Sequence, residues 1–290
     1  MKKIAFIGLG IMGFSIAAHL LKKNKKITIF NRTIKKSLSF KKNFNDFEVS
    51  IADSPLDAAK NKDYIFSCVG DDNDLDNIFF SKHGVINSVS PDTNIIDHTT
   101  CSDSFSKFSF KEFKKKKCNF LDAPVSGGES GAKEGNLSIM VGGEKKIFNE
   151  LAKTFKLYSR SCVYMGSSGN GQLAKMVNQI CIAGLLQGLS EGLNFGKKKG
   201  LNFYDLNKAI STGAAQSWQM DNRANTMWND KFNFGFMNKL MYKDLNILKY
   251  SADKDNIKIP ITKQVLKLYK ELIKNKFEKY DTSSLIKLLK

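Results

Sequence analysis

The first thirteen residues restrict the fold of this chain more than any other segment. A short apolar run, Ile4 to Ile7, is typical of a buried strand, and an apolar periodic segment that follows to Leu21 predicts a helix. Between them lies a G-x-G-x-x-G, formed by Gly8, Leu9, Gly10, Ile11, Met12 and Gly13. Strand, glycine turn and helix in this order are the context of the dinucleotide-binding fingerprint. We therefore predict that residues 8–13 bind a pyrophosphate; the alternative is a glycine-rich turn in an ordinary βα unit.

The residues after the second predicted strand bear on the choice of dinucleotide. This strand, Lys26 to Phe30, is followed by Asn31, Arg32 and Thr33. An acidic side chain at this position would bind the adenosine ribose of NAD, whereas an arginine pairs with the 2′-phosphate of NADP. The acid is absent and an arginine is present, so we predict a preference for NADP, with NAD possible. The alternative is that Arg32 is a chance turn residue.

Further strands alternate with helical segments, which predicts an α/β fold with a doubly wound, Rossmann-type parallel sheet. The later predicted strands share short apolar runs, and they are Tyr64–Val69, Asn94–Asp97, Asn119–Leu121, Leu137–Val141 and Cys162–Met165. Ligands of such sheets bind beyond the carboxyl ends of the strands, where the loops at Gly70, Thr99 and Ser126 are expected. The N–H groups of Ser126, Gly127 and Gly128 would suit a substrate carboxylate, and Gly131 and Gly135 suggest a long, pliable loop. A plain turn is the alternative.

One long helical pattern, from Gly171 to Phe195, is apolar nearly all round, as expected of a buried helix. Its one lysine, Lys175, is costly to bury unless it has partners or a chemical role; a lysine whose head reaches water is the alternative. Asn178 and Gln179 follow on the same helix face.

The rest of the chain is helical in pattern, which predicts a smaller all-α domain. We predict a dinucleotide-binding domain over 1–165 and a helical substrate or dimerisation domain over 166–290, with 166–197 as an interdomain helix. The helical segments are Phe203–Ser211, Gln216–Trp228, Phe236–Ala252, Thr262–Lys274 and Ser283–Leu289. Within the third, Lys243 and Asp244 are either a surface ion pair or a group that reaches the cofactor.

The composition argues against several other classes of protein. The net charge of +18 comes almost entirely from dispersed lysines, with three arginines, so we expect no nucleic-acid partner. No stretch is long enough to span a membrane, and the three glycines at fingerprint spacing argue against a signal peptide. Five scattered cysteines without a C-x-x-C indicate a reduced, cytoplasmic protein, and three isolated histidines indicate no metal site.

Four motifs in one order carry a resemblance to a known family. They are FIGLGIMG (6–13), DAPVSGG (122–128), GNGQLAKMVNQ (169–179) and KDL (243–245). Over essentially its whole length the chain resembles the β-hydroxyacid dehydrogenases, which include 3-hydroxyisobutyrate dehydrogenase, tartronate semialdehyde reductase and glyoxylate/succinic semialdehyde reductase. The resemblance implies a Rossmann domain, an interdomain helix and a helical domain that often packs against another subunit, in a homodimer or homotetramer.

The same resemblance implies reversible hydride transfer between NADP(H) and a small 3-hydroxy acid or semialdehyde that carries a carboxylate. It implies that Lys175 is the catalytic acid and base and that Asn178 or Gln179 orients the substrate hydroxyl. Ser126, Gly127 and Gly128 would bind the substrate carboxylate. The implied cofactor residues are Gly8 to Gly13, Asn31, Arg32, Thr33, Val69, Thr100 and Lys243. Two departures concern His98-Thr99-Thr100, where many members have a Cys-Ser-Thr-like run, and Gln179, where some members have asparagine.

Two other functions are compatible with parts of this pattern. A phosphogluconate-type decarboxylating dehydrogenase would share the architecture, but the helical domain is short and no arginine cluster for a sugar phosphate is present. A lysine at the catalytic position argues against an imine reductase. A non-catalytic, cofactor-binding regulatory protein would be expected to have lost Lys175 or the Ser126 loop. The substrate pocket is expected around Trp218, Arg223 and Phe236.

Overall fold

The structure, a computed structural model, describes residues 2–289. Its packing divides the chain into two compact units, which meet in sequence between Lys175 and Met176. We refer to residues up to Lys175 as the N-terminal unit and to residues from Met176 as the C-terminal unit. No helix in the described part combines the length and hydropathy that a membrane span requires.

The N-terminal unit contains a sheet of nine strands within the described residues. They are β1 (Ile4–Ile7), β2 (Lys26–Phe30), β3 (Glu48–Ile51), β4 (Tyr64–Ser67), β5 (Asn94–Asp97), β6 (Asn119–Asp122), β7 (Val125–Ser126), β8 (Leu137–Gly143) and β9 (Ser159–Gly166). The order is β3-β2-β1-β4-β5-β6-β8-β7, with β9 paired to β8. The first six strands run parallel, whereas β8 is antiparallel to β6 and β7. This confirms the doubly wound sheet predicted from the sequence.

Helices cover both faces of the parallel strands, because successive side chains of a strand point to opposite faces. Phe6 belongs to the core on one face, and its neighbours Ala5 and Ile7 belong to the core on the other. The helices of this unit are α1 (Ile11–Asn24), α2 (Ile34–Asn43), α3 (Pro55–Ala59), α4 (Asp72–Phe80), α5 (Asp103–Lys115), α6 (Gly128–Glu134) and α7 (Lys145–Phe155), with a short 3-10 turn at Val85–Asn87.

A 29-residue helix, α8 (Asn170–Lys198), begins in the N-terminal unit and continues into the C-terminal unit. The C-terminal unit further contains α9 (Phe203–Ile210), α10 (Trp218–Trp228), α11 (Asn238–Lys254), α12 (Pro260–Lys274) and a 3-10 helix at Thr282–Leu289. Side chains from α8, α11 and α12, such as Leu186, Leu245 and Tyr269, form its main core.

Four details differ from the expectations drawn from the sequence. The strands β3 and β7 were not expected, and the last segment is a 3-10 helix rather than an α-helix. The segment after Ser126 is not a long loop, because α6 begins at Gly128. The expectation that α8 is buried on all sides is wrong, since one of its faces exposes apolar side chains, among them Val177 at 60% and Phe195 at 64% of their full areas.

Candidate active site

The glycine turn after β1 has the geometry of a pyrophosphate cradle. Gly8 has a φ of +97°, and a Cβ at this position would lie 2.3 Å from the Cys68 carbonyl oxygen. A Cβ on Gly13 would lie 2.0 Å from the carbonyl oxygen of Gly8, so the turn packs against its own helix. Gly10 differs, because a Cβ there would meet no protein atom within 4 Å. The space in front of Gly10 is therefore open at the N-terminus of α1, where a phosphate would be favoured.

The residues after β2 lie next to this turn. The side-chain oxygen of Asn31 accepts a hydrogen bond of 2.8 Å from the backbone N–H of Leu9, which fixes the turn to the end of β2. The guanidinium of Arg32 is 83% exposed and donates from Nη1 to Oδ1 of Asp74, at 2.8 Å. Thr33 is the residue that precedes α2. Asn31 and Arg32 are therefore placed where a dinucleotide on the glycine turn could be contacted.

The end of β5 is a buried polar network. Oδ1 of Asp97 accepts hydrogen bonds from the Ser67 hydroxyl at 2.8 Å and from the Thr99 N–H at 3.1 Å. The Thr99 hydroxyl accepts a bond of 3.0 Å from the N–H of Val69. Burial raises the pKa of Asp97 to about 7, against the opposing effect of these hydrogen bonds. The network joins the loops after β4 and β5, and Thr100 is the next residue on the second loop.

His98, between these residues, has a structural role in the fold. Its Nδ1 donates to the carbonyl oxygen of Ala123 at 2.6 Å, which leaves Nε2 to accept from the Tyr158 hydroxyl at 3.0 Å. Burial lowers the pKa of His98 to about 4, so the ring is neutral at pH 7. His98 therefore anchors the loop that carries Thr99, and both of its ring nitrogens have partners inside the fold.

Asp122, the last residue of β6, binds the first turn of α8. Its carboxylate accepts hydrogen bonds from the N–H of Gly169 at 2.8 Å, the N–H of Gln172 at 3.2 Å and the Ser168 hydroxyl at 3.2 Å. Burial raises the pKa of this carboxyl, and these bonds act in the opposite direction. A Cβ on Gly171 would lie 2.7 Å from the backbone oxygen of Asp122, so the helix start and the strand end are in close contact. The position of α8 in this unit is thus set by Asp122.

Gln172 joins the same helix start to the loop after β5. Its Nε2 donates to the carbonyl oxygen of Thr99 at 2.8 Å, and its Oε1 accepts from the N–H of Cys101 at 3.2 Å. These two bonds hold the backbone on both sides of Thr100. Lys175 lies three residues further along α8 and is buried, with 7% of its area exposed. The alternative of a lysine head reaching out into water is therefore not supported.

The backbone at Gly127 and Gly128 turns sharply between β7 and α6. Both glycines have positive φ, +134° and +65°, and a Cβ on Gly128 would meet no protein atom within 4 Å. Ser126 pairs with Ser138 of β8, which places it at the end of a strand. On the other side of α6, Nε2 of His19 donates to the carbonyl oxygen of Ala132 at 3.0 Å, so α6 is tied to α1.

In the C-terminal unit, Gln179 is bound to a buried acid on α11. Nε2 of Gln179 donates to Oδ2 of Asp244 at 2.7 Å, and Oε1 accepts from the Asn178 amide at 2.8 Å. Nζ of Lys243 lies 3.1 Å from Oδ1 of Asp244, an ion pair without hydrogen-bond alignment. Both side chains are largely buried, so Lys243 and Asp244 are not a surface ion pair. Gln179 thus links the Asn178 amide to the buried carboxylate of Asp244.

Within each unit, the structure brings together many of the residues singled out from the sequence. The glycine turn and Asn31 are bonded, as are Val69 and Thr99. The sequence does not indicate roles for the side chains of Asp97, Asp122 and Gln172. Asp122 belongs to the DAPVSGG motif and Gln172 to the GNGQLAKMVNQ motif. However, Asp122 binds Gln172, 50 residues away in sequence, and Gln172 binds Thr99, 73 residues away. The described residues contain no cluster of potential metal ligands.

Comparison with known proteins agrees with this geometry. A family profile described as the NAD binding domain of 6-phosphogluconate dehydrogenase matches residues 3–166, and one described as NAD-binding of NADP-dependent 3-hydroxyisobutyrate dehydrogenase matches residues 169–289. The chain belongs to the β-hydroxyacid dehydrogenase family. It is 42% identical to an uncharacterised oxidoreductase of Shewanella frigidimarina over 99% of this chain and 97% of the relative. It is 31% identical to 2-hydroxy-3-oxopropionate reductase of Escherichia coli, with 99% and 97% covered.

The fold is also that of a solved family structure. The 3-hydroxyisobutyrate dehydrogenase of Mycobacterium tuberculosis, determined with L-serine, superposes with a TM-score of 0.90 at 23% identity, over 100% of this chain and 99% of the other. This β-hydroxyacid dehydrogenase family member is therefore an enzyme that binds a nicotinamide dinucleotide and acts as a hydroxyacid dehydrogenase. The open space at Gly10 fits such a cofactor, because no protein atom lies close enough to exclude a side chain at this position.

Proposed function

We propose that this enzyme transfers a hydride reversibly between NADP(H) and a small 3-hydroxy acid or the corresponding semialdehyde, with Lys175 as general acid and base. The observation that carries the proposal is the burial of Lys175 three residues after Gln172, which binds the backbone on both sides of Thr100. A bound nicotinamide supplies the hydride in reduction and accepts it in oxidation. The relative named 2-hydroxy-3-oxopropionate reductase supports a short aldehyde that carries a carboxylate as the substrate.

The proton has a defined path in this proposal. In reduction, the ammonium of Lys175 stabilises the developing alkoxide and gives its proton to that oxygen. In oxidation, the neutral amine accepts the proton of the alcohol. Asn178 or Gln179, on the same helix, orients the substrate hydroxyl.

The remaining residues bind and orient the two ligands. Ser126, Gly127 and Gly128 bind the substrate carboxylate through backbone N–H groups and the serine hydroxyl, which the positive φ of the two glycines helps to aim. Gly8 to Gly13 bind the pyrophosphate, Val69 and Thr100 flank the nicotinamide, and Lys243 contacts the cofactor or substrate. Arg32 binds the 2′-phosphate and so favours NADP over NAD.

The test is dinucleotide oxidation by the purified enzyme with a panel of aldehydes. We expect NADPH to be consumed with one of methylmalonate, tartronate or succinic semialdehyde or glyoxylate, and faster than NADH. Lys175→Met should lower kcat by about a hundredfold or more, while the dissociation constant for NADPH changes little. Lys153→Ala, which removes an exposed lysine, is the matched control. Near-normal turnover of Lys175→Met would contradict the role of Lys175, and cofactor binding without turnover of any of these aldehydes would indicate a different carbonyl substrate.

We also propose that the enzyme works as a homodimer or homotetramer. Residues 177, 181, 185, 188, 192 and 195 of α8 lie on one face of the helix and are all apolar or glycine. All six are exposed in the single chain. A contiguous apolar face of this length is typical of a protein–protein contact surface, and a second copy of the chain is the occupant we propose. A cytoplasmic location remains a prediction from the five scattered cysteines.

A further inference from the structure

The ion pair between Arg32 and Asp74 includes the residue from which a preference for NADP is predicted. Nη1 of Arg32 is 2.8 Å from Oδ1 of Asp74, and the side chains are 83% and 28% exposed. Arg32 follows β2, and Asp74 lies in the first turn of α4, after β4. These two strands flank β1 on either side. The pair therefore joins the segments on both sides of the glycine turn.

Asp74 is the fixed partner of this pair. Its second oxygen, Oδ2, accepts a hydrogen bond of 3.2 Å from the N–H of Gly70. Its backbone N–H donates to Oδ1 of Asp71, the residue that caps α4, at 3.0 Å. A Cβ on Gly70 would lie only 2.5 Å from Oδ2, so the carboxylate is packed directly against the loop after β4. Arg32, in contrast, is a long and mostly exposed side chain that can change its rotamer.

A carboxylate and a 2′-phosphate are competing ligands for one guanidinium. Both are anions that accept from the same fork of N–H donors, and a phosphate is bound best when two of these donors are available. In this structure one Nη is already committed to Asp74. A phosphate at Arg32 would have to displace Asp74 or share the guanidinium with a negative charge that Gly70 holds in place. NADH carries no 2′-phosphate and does not meet this competition.

We propose that Asp74 sets the cofactor selectivity of this enzyme, because it occupies the guanidinium of Arg32 and thereby limits the affinity for NADPH. Arg32 alone would give a strict preference for NADPH, and Asp74 shifts the site toward the use of both dinucleotides. The inference rests on the proposed function in one respect, that Arg32 is the group that meets the 2′-phosphate.

The test is a comparison of dinucleotide affinities by calorimetry on the unloaded protein, without any substrate. In Asp74→Asn the amide oxygen can still accept from Gly70, but the amide nitrogen cannot accept from Arg32. We expect the dissociation constant for NADPH to fall about two- to fivefold, as for the loss of one competing ion pair at the surface, and that for NADH to stay the same. Glu144→Gln, which breaks the exposed Lys114–Glu144 ion pair in the same unit, should change neither affinity.

The double variant separates this inference from the proposed function. If Asp74 acts through Arg32, Asp74→Asn should have no effect on NADPH affinity in an Arg32→Ala background. An unchanged or weaker affinity of Asp74→Asn for NADPH, relative to NADH, would overturn the inference, as would a gain that persists without Arg32. If Arg32→Ala by itself leaves the ratio of the two affinities unchanged, Arg32 does not read the phosphate, and the NADP preference in the proposed function is wrong together with this inference.

Discussion

Replacing Asp97 by asparagine is expected to change how the stability of the N-terminal unit depends on pH. The carboxyl group is fully buried at the end of β5, and burial raises its pKa to about 7. The amide keeps the shape of the side chain, and its oxygen can still accept from Ser67 and from the N–H of Thr99. Since asparagine does not titrate, the substitution removes one proton-binding site and adds an offset that does not depend on pH.

The sign follows from which state binds more protons. Between the ordinary pKa of 3.8 and the folded value of about 7, the folded chain keeps a proton on Asp97 that the unfolded chain has released. The stability of the wild type therefore falls as the pH rises through this window, by about 1.4 kcal/mol per pH unit and about 4 kcal/mol in all. Above pH 7 this contribution is constant.

His98 contributes with the opposite sign. Burial lowers its pKa from 6.5 to about 4, so between these values the unfolded chain binds a proton that the folded chain does not. Its contribution makes stability rise with pH, by about 1.4 kcal/mol per unit and about 3 kcal/mol in all. In the wild type, the effects of Asp97 and His98 nearly cancel from pH 4 to 6.5. In Asp97→Asn, the increase of stability with pH that His98 causes should become measurable.

Urea denaturation of wild type and variant between pH 5 and 8 measures this difference. Because the chain has two compact units, the transition to follow is the one that added dinucleotide shifts to higher urea. The stability of Asp97→Asn relative to the wild type should increase by about 3 kcal/mol from pH 5 to 8. Glu150→Gln, at an exposed position of α7, is the control, and parallel pH profiles of Asp97→Asn and wild type would refute the reasoning.

Three further predictions concern the glycine turn, the C-terminal unit and the face of α8. Gly8→Ala should lower stability by more than about 2 kcal/mol, because its Cβ would clash with the Cys68 carbonyl at a positive φ. Gly10→Ala should leave the melting temperature nearly unchanged and weaken dinucleotide binding; equal losses of stability would contradict this difference. Gln179→Leu should cost about 1–3 kcal/mol in urea denaturation, because it removes the 2.7 Å bond to the buried Asp244. Leu185→Glu should reduce the mass measured by light scattering to that of a single chain, and an unchanged mass would exclude this face as the contact.

Much of the N-terminal unit could be predicted because its signals are local. The strand, the glycine turn and α1 occupy adjacent residues, and each has its own pattern of apolar side chains and glycines. The strand β3 has a single buried residue, Val49, so it lacks the apolar run by which the other strands were recognised. The two-residue strand β7 is too short to give any periodic signal.

The sequence was less informative about which side of an apolar helix is buried. Apolar residues surround α8 on nearly every side, so periodicity cannot separate the face that packs in the core from the exposed face. Leu186 and Leu189 are buried, whereas Leu185 and Val177 on the same helix are exposed. The choice is made by the packing of other elements, among them Met241 and Leu245 of α11, which lie far away in sequence.

Polar pairs in the candidate site could not be predicted for a related reason. The place of Arg32 after β2 predicts that it binds a phosphate. This prediction does not include Asp74, 42 residues later, whose carboxylate binds Arg32. Likewise, the sequence does not indicate that Gln179, rather than Asn178, binds Asp244. A motif gives the types of residue in a site, but the charge available to a ligand depends on neighbours that only the fold brings into contact.

The start of α8 shows how the family motifs are connected physically. Asp122 belongs to the DAPVSGG motif, and its carboxylate binds the N–H groups of Gly169 and Gln172, which belong to the next motif. Gln172, which lies three residues before Lys175, in turn binds the backbone on both sides of Thr100. Direct hydrogen bonds therefore fix the first turn of the helix that carries Lys175 to two strand ends. Substitutions at Asp122 or Gln172 should consequently affect the proton transfer proposed for Lys175 although neither side chain takes part in it.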